Sequence, residues 1–561
     1  MNYGKKLMGA IVLSALMVPT LAIGQTSSQK VYTAPADVIE KIKAEGMGDR
    51  SQVMQLMSYL TDVIGGRLTN SPNMKRANEW TRDKMKSWGM TNAKLESWGP
   101  FGRGWSLKAF SAEVRSPQSF PVIAYPKAWS PSTKGSVTAD VVFLNIKTEE
   151  DLAKYKGTLK DKIVFISPER KLDADFGGFG HRFTDEELQK MAEAPMPAPA
   201  GAPRPQGQGA PQMNPQMMER LQRMQLQAKA LNMLVEEGAA VLVDNSGNGS
   251  GGTLFVSSAA VAQEVPANPM AMFGGGGGAT RRLSAYQKEA EARMIPQMTM
   301  ATEDYNRIVR MIGWGEKPQM TVNIQTQYHD DDLMGYNTVA EIPGTDPSLK
   351  EQLVMLGGHL DSWHGSTGAT DNAAGCAVMM EAVRILIASG FKPRRTIRVA
   401  LWSGEEQGLN GSREYVKQQF GEMKPGEPGA PPTLSKAANY DKLSAYYNID
   451  NGTGRVRGVY MQGNPLVAPY FKAWLEPFGA GAKTLTISNT GGTDHLSFDR
   501  IGLPGFQFIQ DPVEYDTRTH HSNQDNYDRI QAEDMKFNAT VLAAFVYQTA
   551  MMNEQMPKKP M

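Results

Sequence analysis

The sequence is poor in the residue that thiol chemistry requires, since Cys376 is the only cysteine among 561 residues. An intramolecular disulfide is therefore excluded. Cys376 lies beside Ala377 and Val378 in a predicted helix, where we expect a small buried side chain rather than a reactive thiol. The formal net charge is +1, which gives no electrostatic reason to expect nucleic acid or an anionic membrane as a partner.

Long apolar runs are also scarce, with one exception at the N-terminus. Lys5 and Lys6 precede an uncharged, mainly apolar run over residues 7–22, and Ala22-Ile23-Gly24 offers a small-residue cleavage site. This pattern is typical of an export signal over residues 1–24. The run is short for a membrane span and contains Pro19, so an uncleaved anchor is the weaker alternative. We expect an exported protein, periplasmic or secreted, without a stable membrane span after signal removal.

The length predicts two or three domains. Residues 33–90 are predicted to be largely helical, with one helix beginning at Ser71-Pro72 and ending at Gly89. Short strand-like runs follow from about 120 to 300. Within them, residues 193–218 are rich in Pro, Ala, Gly, Gln and Met, which predicts a disordered loop. The run Gly274 to Gly278 predicts a second flexible point.

From about residue 335 the pattern alternates between strands and helices. The runs "NTVAEIP", "QLVMLGG", "TIRVALWS", "SAYYNID" and "GFQFIQ" have strand length. Helices are predicted from Asp371 to Gly390 and over the final apolar stretch, "AEDMKFNATVLAAFVYQTAMM". This alternation predicts an α/β fold with a mainly parallel sheet that helices cover on both faces.

Histidines and acids follow the predicted strands, although the chain has only seven histidines. The carboxyl ends of parallel strands form the ligand-binding edge of such sheets. We therefore expect one cluster from the residues at these ends: His359, Asp361, Asp371, Glu405, Glu406, Asp450, Asp511, His520, His521 and Asp525. Taken singly, each has a simpler interpretation as part of a polar loop, a surface histidine pair or a solvated glutamate pair.

Two histidines with three carboxylates suit two divalent ions of the zinc type, and Asp371 is placed to bridge them. Asp361 follows His359 by two residues, so its carboxylate is expected to accept the second ring N–H of that histidine. One glutamate of the Glu405-Glu406 pair would bind metal and the other would act as general base. Spacing alone leaves open which glutamate takes which role.

The segments "GGHLDSW…GATDNAAG", "LWSGEEQGLNGS", "NIDNGTG" and "HHSNQD" resemble the ordered motifs of the M28 metallopeptidases. The resemblance is strongest to the carboxypeptidase Q-like branch. It implies a phosphorylase/hydrolase-like zinc peptidase fold with an inserted β-rich protease-associated (PA) domain. The implied organisation is an N-terminal helical part at 25–119, a PA-like insert at 120–300, a catalytic domain at 301–555 and a tail at 556–561.

The resemblance also implies a ligand set for two zinc ions per chain: His359, Asp371, Glu406, Asp450 and His521, with Glu405 as the general base. Asp450 pairs with His359 on one ion, and Glu406 pairs with His521 on the other. In the family's last motif an aspartate follows the histidine by four residues. His521 with Asp525 meets that spacing, whereas Gln524 stands four residues after His520.

Four further residues are candidates for a supporting or substrate role: Asp361, His520, Asp494 and Arg518. His520 stands where some relatives carry a tyrosine that donates to the oxyanion. Asp494 lies in a segment that resembles the family's Asp-His segment ahead of the last strand. His364 departs from the pattern, and a pocket or surface position is expected for it.

The sequence therefore predicts an exported di-zinc exopeptidase in which a metal-bridging water attacks the scissile carbonyl and Glu405 accepts its proton. Peptide is the expected substrate. Near the last motif, Asp511, Glu514 and Asp516 outnumber Arg518, which favours recognition of a free amine and release of the N-terminal residue from dipeptides and short peptides. A carboxypeptidase on the same site is the alternative. A single-zinc glutaminyl cyclase and a non-catalytic binding protein fit the complete ligand set less well. The oligomeric state stays open and includes a homodimer.

Overall fold

The computed structural model describes residues 31–197, 215–266, 282–427 and 430–559. The predicted export signal and Gly274 to Gly278 lie outside the described residues. Residues 32–561 form one compact unit. None of the helices within the described ranges is both long and apolar enough to cross a membrane.

The described residues form eighteen strands. In chain order they are β1 (Thr91–Pro100), β2 (Gly104–Ser116), β3 (Phe120–Pro121), β4 (Ala124–Pro126), β5 (Val137–Phe143), β6 (Ile163–Phe165), β7 (Val241–Asn245), β8 (Gln297–Met300), β9 (Gln319–His329), β10 (Met334–Ile342), β11 (Leu353–His359), β12 (Thr396–Trp402), β13 (Gly421–Lys424), β14 (Thr433–Lys436), β15 (Leu443–Asn448), β16 (Val456–Tyr460), β17 (Thr484–Thr486) and β18 (Gly505–Gln510).

Twelve α-helices lie in the same described ranges. They are α1 (Ala36–Gly46), α2 (Val53–Ser58), α3 (Pro72–Ser87), α4 (Glu149–Ala153), α5 (Asp185–Ala192), α6 (Pro215–Glu237), α7 (Thr302–Gly313), α8 (Ala374–Ala388), α9 (Asn410–Gln419), α10 (Ala468–Leu475), α11 (His495–Asp499) and α12 (Ala532–Met551). Ser71 caps α3 by accepting a hydrogen bond from the Met74 N–H, with Pro72 in the first turn, as its sequence predicts.

The first large sheet has the order β1-β10-β12-β11-β15-β18-β16-β17. Its four central strands, β12, β11, β15 and β18, run parallel, and β10 and β16 join them antiparallel. Every residue of β11 is buried, and α8 and α12 pack against this strand and each other. Each large apolar side chain buried here contributes roughly 1.5–3 kcal/mol. The predicted α/β fold, a mainly parallel mixed sheet with flanking helices, is confirmed.

The second large sheet has the order β3-β2-β9-β5-β6-β7-β8-β4. It occupies residues 104–329, between β1 and β10, and those two strands are antiparallel neighbours in the first sheet. We call residues 104–329 the inserted unit. The predicted range of 120–300 omits β2 and β9, which pair with each other from Gly104 to Ser116 and therefore belong to this sheet. Its assignment as a PA domain stays a prediction.

The predicted disordered loop at 193–218 differs from the structure at its C-terminal end. Residues 198–214 lie outside the described residues, but α6 begins at Pro215. The last four residues of the predicted loop are therefore helical. Their helix continues through a long stretch of good helix formers such as Leu, Gln, Met and Ala, and this outweighs the local Pro- and Gln-rich composition.

Candidate metal centre

The candidate site lies at the carboxyl ends of the central parallel strands. His359 is the last residue of β11, Glu405 and Glu406 follow β12, and Asp450 follows β15. Asp371 lies in a tight turn, Ala369–Ala373, that leads into α8. Gly375 lets the start of α8 lie close to Ile449, because a Cβ on this residue would lie 2.4 Å from the Ile449 carbonyl oxygen. The fold therefore brings four separate segments to one edge of the sheet.

The first group of donors surrounds one carboxylate oxygen of Asp371. His359 Nε2 lies 3.2 Å from Asp371 Oδ1 and 3.2 Å from Asp450 Oδ1. One donor atom from each of the three residues falls within 4.8 Å of the others. One imidazole nitrogen and two carboxylate oxygens are a donor set that zinc accepts.

The second group surrounds the other oxygen of the same carboxylate. His521 Nε2 lies 3.2 Å from Asp371 Oδ2 and 2.9 Å from Glu406 Oε2. His520 Nε2 lies farther from Asp371 Oδ2, at 3.8 Å, and its ring packs on Tyr515 and His521. Asp371 thus faces both groups. Donor atoms of Asp371, His520 and His521 also lie within 4.8 Å of one another, so the choice of His521 over His520 as the ligand stays a prediction.

Two of these carboxylate oxygens are buried without a hydrogen-bond partner in the described part of the chain, namely Asp371 Oδ2 and Glu406 Oε1. A buried, unpaired carboxylate oxygen is costly in a protein. The nearby nitrogen of His521 approaches Asp371 Oδ2 without the geometry of a hydrogen bond. A cation between these atoms would satisfy them, so the residues fit a bound zinc ion.

The electrostatics of the cluster lead to the same conclusion. Burial lowers the pKa of His521, but Glu406 and Asp371 outweigh that effect and raise it to about 11. Burial likewise opposes charge on His359, and Asp450 and Glu405 raise its pKa well above the ordinary value. In the protein alone, the surrounding acids therefore favour the protonated form of both histidines. Metal binding would displace those protons, because a ligating histidine must be neutral.

The two adjacent glutamates differ in their surroundings. Burial, assisted by Asp371 and opposed by His521, raises the pKa of Glu406 to about 7. Burial also raises the pKa of Glu405 well above its ordinary value, and His359 partly opposes this effect. Glu406 touches His521, whereas Glu405 makes no ion pair within either donor group of the described residues. The two side chains are therefore placed for different roles.

The carboxylate of Asp361 supports the site differently from the prediction. His359 Nδ1 lies 2.9 Å from the backbone carbonyl oxygen of Asp361, and 3.7 Å from its carboxylate. The carboxylate instead accepts hydrogen bonds from the Thr69 hydroxyl and from the backbone N–H groups of Glu405 and Glu406. It is therefore committed to holding the turn after β12, and the expected carboxylate–imidazole hydrogen bond is replaced by one to the main chain.

Asp525 explains the four-residue spacing of the last motif. Its carboxylate accepts hydrogen bonds from the backbone N–H groups of Thr370, at 2.6 Å, and Asp371, at 3.1 Å. It therefore fixes the turn that presents the Asp371 carboxylate. In α8, the Cys376 thiol donates to the carbonyl oxygen of His359 at 3.0 Å. Burial raises the pKa of this thiol to about 12, which agrees with the expectation of an unreactive side chain.

Arg67 is a supporting residue that the sequence analysis missed. Its side chain is fully buried, and its guanidinium donates to the carbonyl oxygens of Leu360, Thr367 and Gly368 at 2.7–2.8 Å. These carbonyls belong to the loop between His359 and Asp371. Arg67 lies almost three hundred residues earlier in the chain and shows no local motif, so periodicity and spacing offered no signal for this contact.

Tyr515 was also missed. It lies in a short helical turn, Tyr515–Thr519, after β18. Burial and the charges of Asp371 and Asp450 raise its pKa well above the ordinary tyrosine value, so its phenol stays protonated beside the acids. Its ring packs on that of His520, with 4.7 Å between the ring centroids, which places Tyr515 beside the second donor group.

The remaining predicted residues are engaged elsewhere. Asp511 pairs with Arg182 and Arg457, so it is not free to bind a substrate amine as predicted. Glu514 pairs with Arg529 and is likewise occupied. The Arg518 guanidinium covers the Phe179 ring. Asp494 is fully buried and contributes to the charge around Glu405. His364 Nε2 contacts the Pro126 carbonyl oxygen at 2.7 Å.

A cavity of about 760 Å³ adjoins the site. Trp363, Glu406 and Gln407 line it beside the donor groups, and the inserted unit contributes Lys127 and Arg282 to its lining. This volume lies within the range of roughly 300–1,000 Å³ that small-ligand sites occupy. The inserted unit and the loops after β11 and β12 therefore line it together.

Comparison with known proteins gives a consistent picture. Residues 337–546 match the model of peptidase family M28. Carboxypeptidase Q of Mus musculus is 31% identical over 265 residues, which are 47% of this chain and 52% of that protein. The chain thus spans about half the length of the curated relatives it matches.

Two solved structures share the fold. A peptidase M28 precursor from Shewanella amazonensis SB2B superposes with a TM-score of 0.60 at 22% identity, over 94% of this chain and 99% of that chain. BSAP, a zinc aminopeptidase from Bacillus subtilis, superposes with a TM-score of 0.51 at 16% identity, over 90% and 95% of the two chains. Both alignments extend well beyond the residues that match the family model.

Proposed function

We propose, from the premise that this chain carries a metallopeptidase domain of family M28, that it is an exported exopeptidase with two zinc ions. Its proposed substrates are dipeptides and short peptides, from which it releases the N-terminal residue. The observation that carries the proposal is Asp371, whose two carboxylate oxygens each lie 3.2 Å from a different histidine. A carboxylate between two such donor groups suits a pair of ions that share it.

In this proposal each ion has one histidine and one acid of its own. His359 and Asp450 hold the first ion, His521 and Glu406 hold the second, and Asp371 is shared. Bound zinc ions lower the pKa of water and polarise a carbonyl oxygen. Glu405 stays outside both donor groups, and its desolvated carboxylate takes the proton of the attacking water and delivers it to the leaving amine. Asp361 keeps Glu405 in place, because its carboxylate accepts a hydrogen bond from the backbone N–H of Glu405.

The charge of the site favours a substrate with a free amine. Seven carboxylates gather in and around the donor groups: Asp361, Asp371, Glu405, Glu406, Asp450, Asp494 and Asp525. Bound cations favour the ionised form of nearby carboxylates, and with all seven ionised, two divalent ions and the guanidinium of Arg67 would leave this set with a formal negative charge. An ammonium group is attracted to such a site, and a carboxylate is repelled. This excess replaces the argument from Asp511 and Glu514, whose carboxylates are already paired.

The adjoining cavity favours short substrates. Its volume suits a small ligand rather than a folded protein. Arg282 places positive charge on the lining that the inserted unit contributes, where it would attract the carboxylate end of a dipeptide, whereas Lys127 is already paired with Asp244. A dipeptide bound between the acidic centre and Arg282 would present its one peptide bond near Glu405.

Metal analysis of purified protein tests the proposal. The protein should contain two zinc ions per chain, and a chelator should abolish dipeptide hydrolysis until zinc or cobalt is restored. His359→Ala and His521→Ala should each lose one ion, because each removes a ligand of a different ion. A single ion per chain would favour the cyclase alternative, and chelator-insensitive hydrolysis or full metal content in both variants would contradict the proposal.

A further inference from the structure

The segment that carries His521 follows β18 and has an unusual backbone. We call residues 511–525 the C-terminal site loop. Two of its non-glycine residues, Val513 (φ 52°) and His521 (φ 58°), adopt the left-handed conformation. Side chains with a Cβ adopt it at a cost, so it persists where surrounding contacts impose it. Those contacts therefore decide where the His521 imidazole points.

The contacts at His521 come from the inserted unit. The backbone N–H of Val256 donates to the His521 carbonyl oxygen at 2.9 Å. Phe255 and Ser522 form an antiparallel β-bridge. Asn523 extends the contact, because its backbone N–H donates to the Leu254 carbonyl and its Oδ1 accepts from the Leu254 N–H at 2.9 Å. Residues 252–256 thus bond to the chain on both sides of Ser522.

This part of the inserted unit is itself firmly held. The Phe255 N–H donates to Ser246 Oγ at 3.0 Å, and the Ser246 N–H donates to the Met300 carbonyl oxygen at the end of β8. Leu254 and Val256 are buried. Val256 also packs on the loop between His359 and Asp371, since a Cβ on Gly365 would lie 2.7 Å from its side chain. The contact therefore ties His521 to the second sheet.

A second contact holds the other left-handed residue. His181 and Val513 exchange both backbone hydrogen bonds, at 2.8 and 2.7 Å. Nearby, the Thr517 hydroxyl donates to the Phe179 carbonyl oxygen at 2.7 Å, and Arg518 covers the Phe179 ring. The inserted unit therefore bonds to the C-terminal site loop at two points, and each point coincides with one left-handed residue.

We infer that the inserted unit is a positioning element for the second metal ion: residues 252–256 hold His521 in its ligating conformation, and Asn523 is the side chain that secures this contact. The inference rests on the proposed function, because it takes His521 as a zinc ligand. The first ion depends on His359 and Asp450, which the sheet itself presents. Loss of the contact should therefore weaken one ion and spare the other.

The test is the affinity of each ion in Asn523 variants of the full-length protein. Asn523→Ala removes the hydrogen bonds to Leu254 N–H and to the Gly252 carbonyl oxygen, whereas Asn523→Asp keeps the acceptor and loses the donor. We expect the Kd of one zinc ion to rise roughly tenfold in Asn523→Ala, the scale on which supporting residues affect metal affinity. Asn523→Asp should show a smaller rise. Asn439→Ala, which removes a loop hydrogen bond to Gln419 in another region, is the control and should bind both ions normally.

One further measurement makes the result decisive. Hydrogen exchange of the Val256 amide in metal-free protein should accelerate in Asn523→Ala, which reports on the contact independently of zinc. Should Asn523→Ala fail to fold, the smaller affinity change in Asn523→Asp decides. Unchanged affinity and unchanged exchange would overturn the inference. If His521→Ala loses one ion while both Asn523 variants keep wild-type affinity, the inference fails and the proposed function stands. If His521→Ala keeps both ions, the proposed ligand set fails.

Discussion

Replacement of Glu405 by glutamine separates the two adjacent glutamates. Glu405→Gln keeps the size of the side chain but cannot accept a proton. The backbone N–H of Glu405 is bonded to Asp361, so the turn should keep its position. The side chain makes no ion pair with either donor group of the described residues. We therefore expect two ions per chain and a normal fold.

The expected loss is one of turnover. General acid–base catalysis contributes roughly 10²–10⁴-fold, which corresponds to about 2.7–5.4 kcal/mol of activation free energy. The kcat for a dipeptide should fall by that factor in Glu405→Gln, while KM changes little. Steady-state kinetics with a coupled amino-acid assay and metal analysis on the same preparation measure both quantities.

Glu406→Gln is the matched control. Its Oε2 lies 2.9 Å from His521 Nε2, so an amide there should weaken one ion, roughly tenfold or more, and added zinc should partly restore activity. The reasoning is refuted if Glu405→Gln loses an ion or retains near-wild-type turnover. The two roles would be exchanged if added zinc restored the activity of Glu405→Gln while Glu406→Gln kept its full metal content and was inactive.

Three other expectations follow from the same structure. N-acetylation of a short peptide should block its cleavage and C-terminal amidation should matter less, because the site carries excess negative charge; trimming of acetylated peptides from the C-terminus would indicate a carboxypeptidase and make Arg518 the next residue to mutate. Arg67→Met should lower the free energy of unfolding, measured by urea denaturation, by roughly 3 kcal/mol or more, since three buried carbonyls lose their donor. The surface change Arg82→Met should alter it by less than about 0.5 kcal/mol. Equal effects of the two changes would contradict the supporting role of Arg67. Burial lowers the pKa of His495 to about 4, below the ordinary value of about 6.5, so the unfolded chain takes up the proton first as pH falls. This histidine should therefore cost roughly 2 kcal/mol of stability between pH 7 and pH 5, and His495→Gln should lose that part of the pH dependence in unfolding measured at each pH.

The sequence was informative wherever a residue's position along a strand decides its position in space. His359 ends β11 and Asp450 follows β15, and parallel pairing of these strands with each other is enough to bring them together. The alternation of strands and helices predicted a mainly parallel sheet, but not which of its strands are neighbours. The same reasoning reached Asp371 and Glu406, since both lie within a few residues of a strand or helix end.

Contacts between distant segments were out of reach of the same reasoning. Asp511 looked available for an amine, but Arg182 of the inserted unit neutralises it, and no local pattern indicates a partner so far away in the chain. The Asp361 carboxylate was assigned to the nearest histidine in sequence, whereas the fold offers it three closer donors. Such partners depend on how the two sheets pack, which periodicity does not encode.

The lone thiol of Cys376 gives this protein a built-in chemical reporter. It is buried and bonded to the His359 carbonyl oxygen at the end of β11, so a thiol reagent can reach it only when the structure around it opens. Because the chain has a single cysteine, every alkylation event reports on that one place. The rate of labelling under native conditions therefore reports how often the packing around Cys376 and His359 opens. Comparison of the rates with and without zinc shows how far the ions suppress this opening.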